Sequence, residues 1–320
     1  MGASALATAK LKYKGTSISL IGIDKNYNSK RNNFFAFWLT DWMKDFDSLA
    51  QKKWFCWNFY LTNNHIKHET KDLPYCTIRY QDWKNYCLKG LENLSIKEFN
   101  VQSITNLKKY YEIKLENGEE IFAKKIYDSR TPKLENEKVK QHFFGYLIET
   151  KQMINSNSVT LMDFRVEQKM GLHFMYCLPI DENRMLVEST VFSSEIQEDD
   201  WYQKQILEYI ETKLNLSEYK IVDEEKGALP MYDIENKSSE NYINIGSRGG
   251  ATKISTGYAF SFFLKNIMLN FENINKAHHS YFDKWMDKVF VNYLKNNSGT
   301  EKVFINMAYS LNGNEFASFM

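Results

Sequence analysis

The stretch from Val159 to Phe192, VTLMDFRVEQKMGLHFMYCLPIDENRMLVESTVF, constrains the fold more than any other part of the chain. Apolar and polar residues that alternate over several positions mark a β-strand, because successive side chains leave a strand on opposite faces. Three such segments follow one another. In the first, Met162, Phe164 and Val166 share one face, and Asp163, Arg165 and Glu167 take the other. The second, Leu172 to Ile180, is apolar on both faces and predicts a central strand. The turn Asp181-Glu182-Asn183-Arg184 leads to the third, Met185 to Phe192, where Glu188 shares its face with Leu186, Thr190 and Phe192. Ionising a carboxyl on an apolar face is costly. Glu188 is therefore expected to keep its proton at neutral pH, which suits a general acid. A strand-edge Glu turned to water produces the same pattern.

Size and charge narrow the setting. A chain of 320 residues buries enough for one large or two modest domains. With 41 basic and 40 acidic residues the net charge is +1, so there is no basic footprint for nucleic acid. Aromatic residues reach 15%, which suits either a large apolar ligand or a sheet-rich core. Cys56, Cys76, Cys87 and Cys177 show no CxxC spacing, and a reducing cytoplasm fits them. The most apolar late run, Tyr258 to Leu269, is interrupted by Lys265 and Asn266 and is too short to span a bilayer. Membrane contact is expected to be peripheral.

Two glycine-bearing stretches suggest phosphate or dinucleotide binding. Residues 1–9 read as the opening of a helix, with Gly2 at its start, and the run Ile18 to Ile23 reads as a parallel strand ending in Asp24. That order is the back half of a dinucleotide fingerprint: the Gly admits a pyrophosphate to the helix N-terminus, and the acid accepts from a ribose hydroxyl. Any helix followed by a strand ending in Asp matches it equally. Later, a strand over Tyr242 to Ile245 runs into Gly246-Ser247-Arg248-Gly249-Gly250, followed by a helical run from Gly257 to Leu269. Amides of such a loop cradle phosphate or polarise a ring carbonyl, though a structural turn looks the same.

Elsewhere, a helix is expected over 82–94, and an Asn-Gly hairpin over Tyr110 to Tyr127 ends in Asp128, at the carboxyl end of a strand where α/β sheets bind ligands. Further strands are expected at Gln141 to Glu149 and in the aromatic runs Asn33 to Trp38 and Trp54 to Leu61. A helix over Asp200 to Leu214 is expected to turn Leu207, Ile210 and Leu214 inward, and Tyr281 to Lys295 reads as a final helix. His65 and His68, like His278 and His279, lack a third ligand, and no metal site is expected.

Gln141 to Glu149, TLMDFRVEQ (Thr160 to Gln168), FMYCLPIDENRMLVESTVFS (Phe174 to Ser193), EEKGALPM (Glu224 to Met231) and INIGSRGGATKISTGYAF (Ile243 to Phe260) together resemble the bacterial lycopene cyclases. The similarity is densest between Gln141 and Phe260, with weaker echoes at Asp24, NNFFAFW, Tyr75 to Leu88 and YDSR (Tyr127 to Arg130). The resemblance implies an α/β fold: a Rossmann-like FAD-binding domain with an inserted antiparallel β-sheet substrate domain and C-terminal helices. It places 1–40, 75–140 and 241–275 in the FAD-binding domain without its first strand, 41–74 and 141–240 in the substrate domain, and 276–320 in a helical segment.

The implied activity is acid-catalysed cyclisation of linear lycopene to gamma-carotene and beta-carotene without net redox change, using reduced FAD with NAD(P)H as electron donor. The protein would be cytoplasmic and peripheral to the inner membrane. The family's acid/base residue falls on Glu188, with Asp163, Arg165 and Glu167 expected to organise its neighbourhood. Gly2, Asp24, Asp128, Gly246, Gly249, Gly250 and Gly257 are the expected cofactor-binding residues. Departures stand at Ser189, where relatives carry a second acid or Tyr, at Ser247 in place of Asp, and at Ile254 in place of Pro. The chain starts inside the FAD fingerprint and stops at NGNEFASFM, where such relatives continue, which predicts weak FAD binding. The other classes in view are a flavin-dependent monooxygenase or oxidoreductase on an apolar substrate, and a truncated flavoprotein that only binds carotenoid.

Overall fold

The computed structural model describes residues 2–12, 18–29, 33–90, 94–235, 237–269 and 278–320. Met1 and Leu91, which belong to expected helices, and residues 270–277, at an expected domain boundary, lie outside these. The chain opens with helix α1 (Gly2–Lys12), strands β1 (Ile21–Ile23) and β2 (Phe34–Trp38) and a 3-10 turn over Asp41–Leu49. Strands β3 (Lys52–Trp54), β4 (Cys56–Leu61), β5 (Asn64–Glu69) and β6 (Tyr75–Arg79) follow, then helix α2 (Tyr80–Leu88). Next come β7 (Ser95–Lys97), β8 (Val101–Asn106), β9 (Tyr111–Leu115), β10 (Glu120–Ala123) and β11 (Ile126–Asp128). The longer strands are β12 (Lys140–Thr150), β13 (Val159–Asp163), β14 (Leu172–Pro179), β15 (Arg184–Ser193) and, after helix α3 (Asp199–Thr212), β16 (Tyr219–Pro230). Strand β17 (Tyr242–Asn244), a 3-10 turn over Gly246–Gly249 and helices α4 (Phe260–Leu269), α5 (Tyr281–Asn296), α6 (Glu301–Ser310) and α7 (Gly313–Phe319) complete the order.

Seven strands form one sheet in the order β16-β12-β15-β14-β13-β4-β5, antiparallel at every ladder except the parallel β13–β4 pair. The three segments between Val159 and Phe192 become its middle, with β14 between β15 and β13 as its two apolar faces require. The first segment is shorter than its alternation suggests: β13 stops at Asp163, and its register shifts between Thr160 and Asp163. The bulge turns Leu161, Met162 and Phe164 into one core cluster, so alternation does not carry through to Glu167.

Each face of this sheet has its own cover. On one, Phe174, Leu178, Leu186 and Phe192 join Phe304 and Ala308 of α6, Phe316 of α7, and Trp38, Trp54 and Tyr75 of a smaller β2-β6-β3 sheet. On the other, Phe144, Met175, Cys177, Val187 and Val191 pack against Tyr202, Ile206, Tyr209 and Ile210 of α3. Leu207 is exposed, contrary to expectation, because Tyr202, Ile206 and Tyr209 set the inward face one residue earlier. The aromatic run over Trp54 to Leu61 divides at Phe55 into β3 and β4, which join different sheets.

Two parallel pairs stand apart from the large sheet: β1 with β7, and β11 with β17. The expected hairpin around Gly118 forms between β9 and β10, while β11 leaves it to pair with β17. Helix α1 packs on β1, β11, α2 and α4, burying Ala5 and Ala9 beside Ile243, Phe263 and Leu264. Gly22 makes that approach possible: a Cβ there would stand 2.6 Å from Ile96 Cδ1 and 3.2 Å from Leu6 Cδ1. Among the described residues, no helix is long and apolar enough to cross a membrane.

Candidate active site

Glu188 lies on β15 between two strand partners, Gly145 on β12 and Tyr176 on β14. It is 8% exposed, and on its face of β15 Leu186 and Phe192 are core residues. Thr190 Oγ1 donates to Glu188 Oε1 at 2.5 Å. Burial, reinforced by the nearby Glu225 carboxyl, raises the Glu188 pKa to about 8, against the opposing Thr190 hydrogen bond. At neutral pH the residue is a carboxylic acid in apolar surroundings.

Gly145 has a second partner, Glu225 on β16, so Glu225, Gly145 and Glu188 form one row across three strands. A Cβ at Gly145 would sit 3.3 Å from Glu188 Cβ and 3.4 Å from Glu188 Cγ: the Glu188 stem occupies space that the glycine leaves open. Asn33 Nδ2 donates to Glu225 Oε2 at 2.9 Å. Burial raises the Glu225 pKa to about 7, opposed by Asn33. Sequence reading missed this residue. Strand β16 reads as a charged run, and only its register reveals which carboxyl faces Glu188.

Beside Glu188 three tyrosine hydroxyls converge. Tyr75 Oη is 2.7 Å from Tyr176 Oη and 3.0 Å from Tyr258 Oη. Trp38 packs against both Tyr75 and Tyr258, with ring centroids 4.6 and 5.4 Å away. Burial pushes the Tyr75 and Tyr176 hydroxyls far up, so they stay neutral donors and acceptors. Tyr258 follows Gly257, whose φ of +74° is open to glycine and where a Cβ would collide with Gln141 Oε1 at 1.9 Å. The indole N–H groups of Trp38 and Trp54, Gln141 Oε1 and Thr256 Oγ1 are buried without a partner in this region. A protonated carboxyl bordered by aromatic faces can donate a proton to an apolar molecule and stabilise the cation that results.

Asp163 and Arg165 are not part of this arrangement, a correction to the expectation that they organise it. Asp163 pairs with Met175, whose side chain belongs to the opposite face of the sheet. There it accepts from Arg165 Nε at 2.9 Å, Arg165 Nη2 at 2.6 Å and Tyr209 Oη at 2.7 Å. Arg165 in turn covers the Tyr60 ring at 4.3 Å. Glu167 pairs with Lys169 at the surface. Ser189, next to Glu188 in sequence, also faces away and donates to His173 Nε2 at 2.8 Å, while His173 Nδ1 donates to the Glu167 carbonyl. Asp163, Arg165 and Ser189 thus serve the packing of α3 and its surroundings.

The glycine and acid positions gather at the carboxyl ends of the two parallel pairs. Gly2 opens α1 against Ser129, just past β11, with Ser129 Oγ 3.3 Å from where a Cβ would stand. Asp24 follows β1, and its Oδ1 accepts from Asn26 N. Gly246 follows β17 with φ +64°, and Gly250 has φ +82° with nothing within 4 Å of an added Cβ. Gly249 is glycine for packing, since a Cβ would meet Asn244 O at 2.5 Å.

Asp128 does not fit its expected cofactor role. Its oxygens accept from Arg130 Nε and Nη2 and from Tyr242 Oη and form an ion pair with Arg248, whose Nε donates to Asn244 Oδ1; these contacts clamp β11 to β17 and occupy both oxygens. His65 and His68 lie on strand β5. His68 Nδ1 accepts from Trp57 Nε1 and its Nε2 donates to the Ala308 carbonyl, while His65 stacks on Tyr60.

Known proteins resemble this chain in sequence family and in fold. The profile of the family described as lycopene cyclase protein matches residues 1–288. A lycopene beta-cyclase from Pseudescherichia vulneris is 28% identical over 155 residues, which is 46% of this chain and 40% of that protein's length. A geranylgeranyl bacteriochlorophyll reductase-like protein from Thermoplasma acidophilum superposes with a TM-score of 0.65 at 11% identity, over 99% of this chain and 87% of its own. The p-nitrophenol 4-monooxygenase PnpA from Pseudomonas putida DLL-E4 does so at 0.63 and 11%, over 98% and 91%. HpxO from Klebsiella pneumoniae, a complex with FAD and uric acid, gives 0.62 at 8%, over 100% and 93%. At such identities the likeness is one of fold: α/β, of the Rossmann-like FAD-binding type, as the sequence predicted.

Proposed function

We propose a carotenoid-cyclising activity for this chain, which belongs to the lycopene cyclase family. The reaction is acid-catalysed closure of linear lycopene to gamma-carotene and then beta-carotene, without net redox change. The observation that carries this reading is Glu188: a buried carboxyl on an apolar strand face, protonated at neutral pH, with Tyr176 as its cross-strand partner and the hydroxyls of Tyr75 and, through it, Tyr258 linked to Tyr176. A hydrocarbon offers nothing to hydrogen-bond, so such a site holds it by apolar burial and shape. Glu188 delivers a proton to the terminal double bond. The faces of Trp38, Tyr75, Tyr176 and Tyr258 border the developing cation.

The residues present fit a dinucleotide: Gly250 leaves open the space that a Cβ would fill, and Gly2 brings an α1 amide end to the strand termini. Gly2, Asp24, Gly246 and Gly250 would hold FAD. When bound, reduced FAD, with NAD(P)H as its electron donor, supplies electron-rich density against positive charge. Residues 41–74 and 141–240 form the substrate half in this reading. Peripheral contact with the inner membrane goes with it, because so long a hydrocarbon partitions into a bilayer. The exposed aromatic side of α5, with Tyr281, Phe282 and Trp285, is the kind of surface that supports such contact.

Expression in a lycopene-accumulating bacterium, with pigments separated by chromatography, tests the proposal. Cyclic carotenoids are expected. Unconverted lycopene bound to the protein would favour a binding role, and substrate oxidation coupled to NAD(P)H consumption would favour an oxidoreductase.

A further inference from the structure

We infer that Glu225 is the second catalytic carboxyl of this site, the base that takes the ring proton at the end of cyclisation and hands it back to Glu188 across Gly145. The inference rests on the cyclase reading and goes beyond it by assigning the deprotonation. Cyclisation begins with a proton gained and ends with a proton lost, so a donor alone leaves the cycle open. The sheet supplies a matching acceptor by register: Glu225 and Glu188 are the two cross-strand partners of Gly145. Because Gly145 has no side chain, the Glu188 stem lies against it together with Leu186 Cδ1, and the row itself places no side chain of β12 between Glu188 and Glu225. The next position along this face repeats the device, with the Phe143 ring lying over Gly227, 2.7 Å from where a Cβ would be.

Other groups facing the pair are poorer bases. Tyr176 from β14, Tyr75 from β6 and Tyr258 from the loop before α4 are held neutral by burial. Thr190 is committed to Glu188, and Asn33 donates to Glu225 and cannot accept a proton at that nitrogen. Asp223, two residues before Glu225, pairs with Leu147 and accepts from the Glu224 amide. Asp163 lies across the sheet.

The steps balance. The Glu188 O–H bond breaks as a C–H bond forms at the terminal alkene carbon, leaving a tertiary cation. The π pair of the neighbouring double bond then forms the ring C–C bond and moves the charge onto the ring. The ring C–H bond breaks, its electron pair becomes the ring double bond, and the proton goes to the Glu225 carboxylate. Glu225 returns that proton to Glu188. No oxidant or reductant is consumed.

The test compares the wild-type flavin-loaded protein with Glu225→Gln and Glu225→Asp, using lycopene in liposomes and, separately, infrared titration of the buried carboxyl C=O band. For Glu225→Gln the expected result is a fall in kcat of about 100-fold or more, as for loss of a general base, with KM and flavin content unchanged. Glu225→Asp is expected to recover part of the loss. The Glu188 band, identified by its absence in Glu188→Gln, should titrate at lower pH in Glu225→Gln, because a like charge is gone while burial stays. Wild-type kcat in Glu225→Gln, or an unmoved Glu188 midpoint, overturns the inference. A wild-type protein that makes no cyclic carotenoid instead defeats the cyclase reading, and the infrared midpoint then decides the pairing of the two carboxyls by itself.

Discussion

The hydroxyls of Tyr75 and Tyr176 stand 2.7 Å apart and join the β2-β6-β3 sheet to the strand that pairs with Glu188. Tyr75 also meets Tyr258, so one buried side chain links three remote parts of the sequence. The small sheet, the middle of the large sheet and the loop before α4 are held in register around the candidate acid by these bonds.

Replacing Tyr75 with Phe keeps the ring packing but leaves Tyr176 and Tyr258 without their shared partner. Unpaired buried hydroxyls cost about 1–3 kcal/mol, and urea unfolding should show a loss in that range. An unchanged midpoint would mean that the hydroxyl cluster is not a structural tie.

Glu188 gives stability a definite pH dependence. Its folded pKa of about 8 lies above the ordinary 4.5, with burial as the main cause. The folded chain therefore holds a proton that the unfolded chain releases between these values. This contribution is complete below about pH 4.5 and is lost as pH rises towards 8, by at most about 1.4 kcal/mol per pH unit. Glu188→Gln removes the dependence, so the variant should gain on the wild type between pH 5 and pH 8. Urea midpoints that keep a constant gap over that span would contradict the assignment.

Asp163 separates structure from chemistry. It is fully buried with Arg165 and Tyr209 on the face opposite Glu188. Asp163→Asn should lower the thermal midpoint, with a loss of about 2–3 kcal/mol from weakened charged hydrogen bonds. The cyclisation rate per folded molecule should stay within about twofold, in contrast to the 10²-fold or larger effects of a lost general acid. A large loss of turnover at unchanged stability would return Asp163 to the site.

Gly257 should resist substitution for two separable reasons. Its φ of +74° strains any other residue, and a Cβ would strike Gln141 Oε1. Gly257→Ala should cost at least about 1 kcal/mol from backbone strain alone. Adding Gln141→Ala should recover part of the remainder, so the double-mutant cycle is non-additive. Strict additivity would exclude the close contact.

The parts of this fold that the sequence made legible are those where one strand's own pattern suffices. The three segments around Glu188 alternate or are apolar throughout, and they became adjacent strands as expected. Whatever depends on register between strands was not legible. The faces of Asp163 and Glu188 could not be related without knowing that β13 carries a bulge and pairs Asp163 with Met175. Glu225 sits in the run DEEKG, where nothing distinguishes one acid from the next until Gly145 places it in line with Glu188. Asp128 read as a ligand-binding acid because its partner Arg248 lies 120 residues away and comes near only through the parallel β11–β17 pair. Tyr75 and Tyr258 met by the same kind of long-range packing.

The central claim is that Glu188 acts as a neutral acid on an apolar substrate. The most direct measurement is the rate of lycopene cyclisation by flavin-loaded wild-type and Glu188→Gln proteins across pH 6 to 9, with flavin content determined for both. The account predicts a wild-type rate that falls above about pH 8 as Glu188 ionises and below about pH 7 as Glu225 takes up a proton. It also predicts a Glu188→Gln rate lower by about 10²–10⁴-fold, as loss of a positioned general acid gives, at equal flavin content. Cyclic carotenoid formed by Glu188→Gln at the wild-type rate would contradict it.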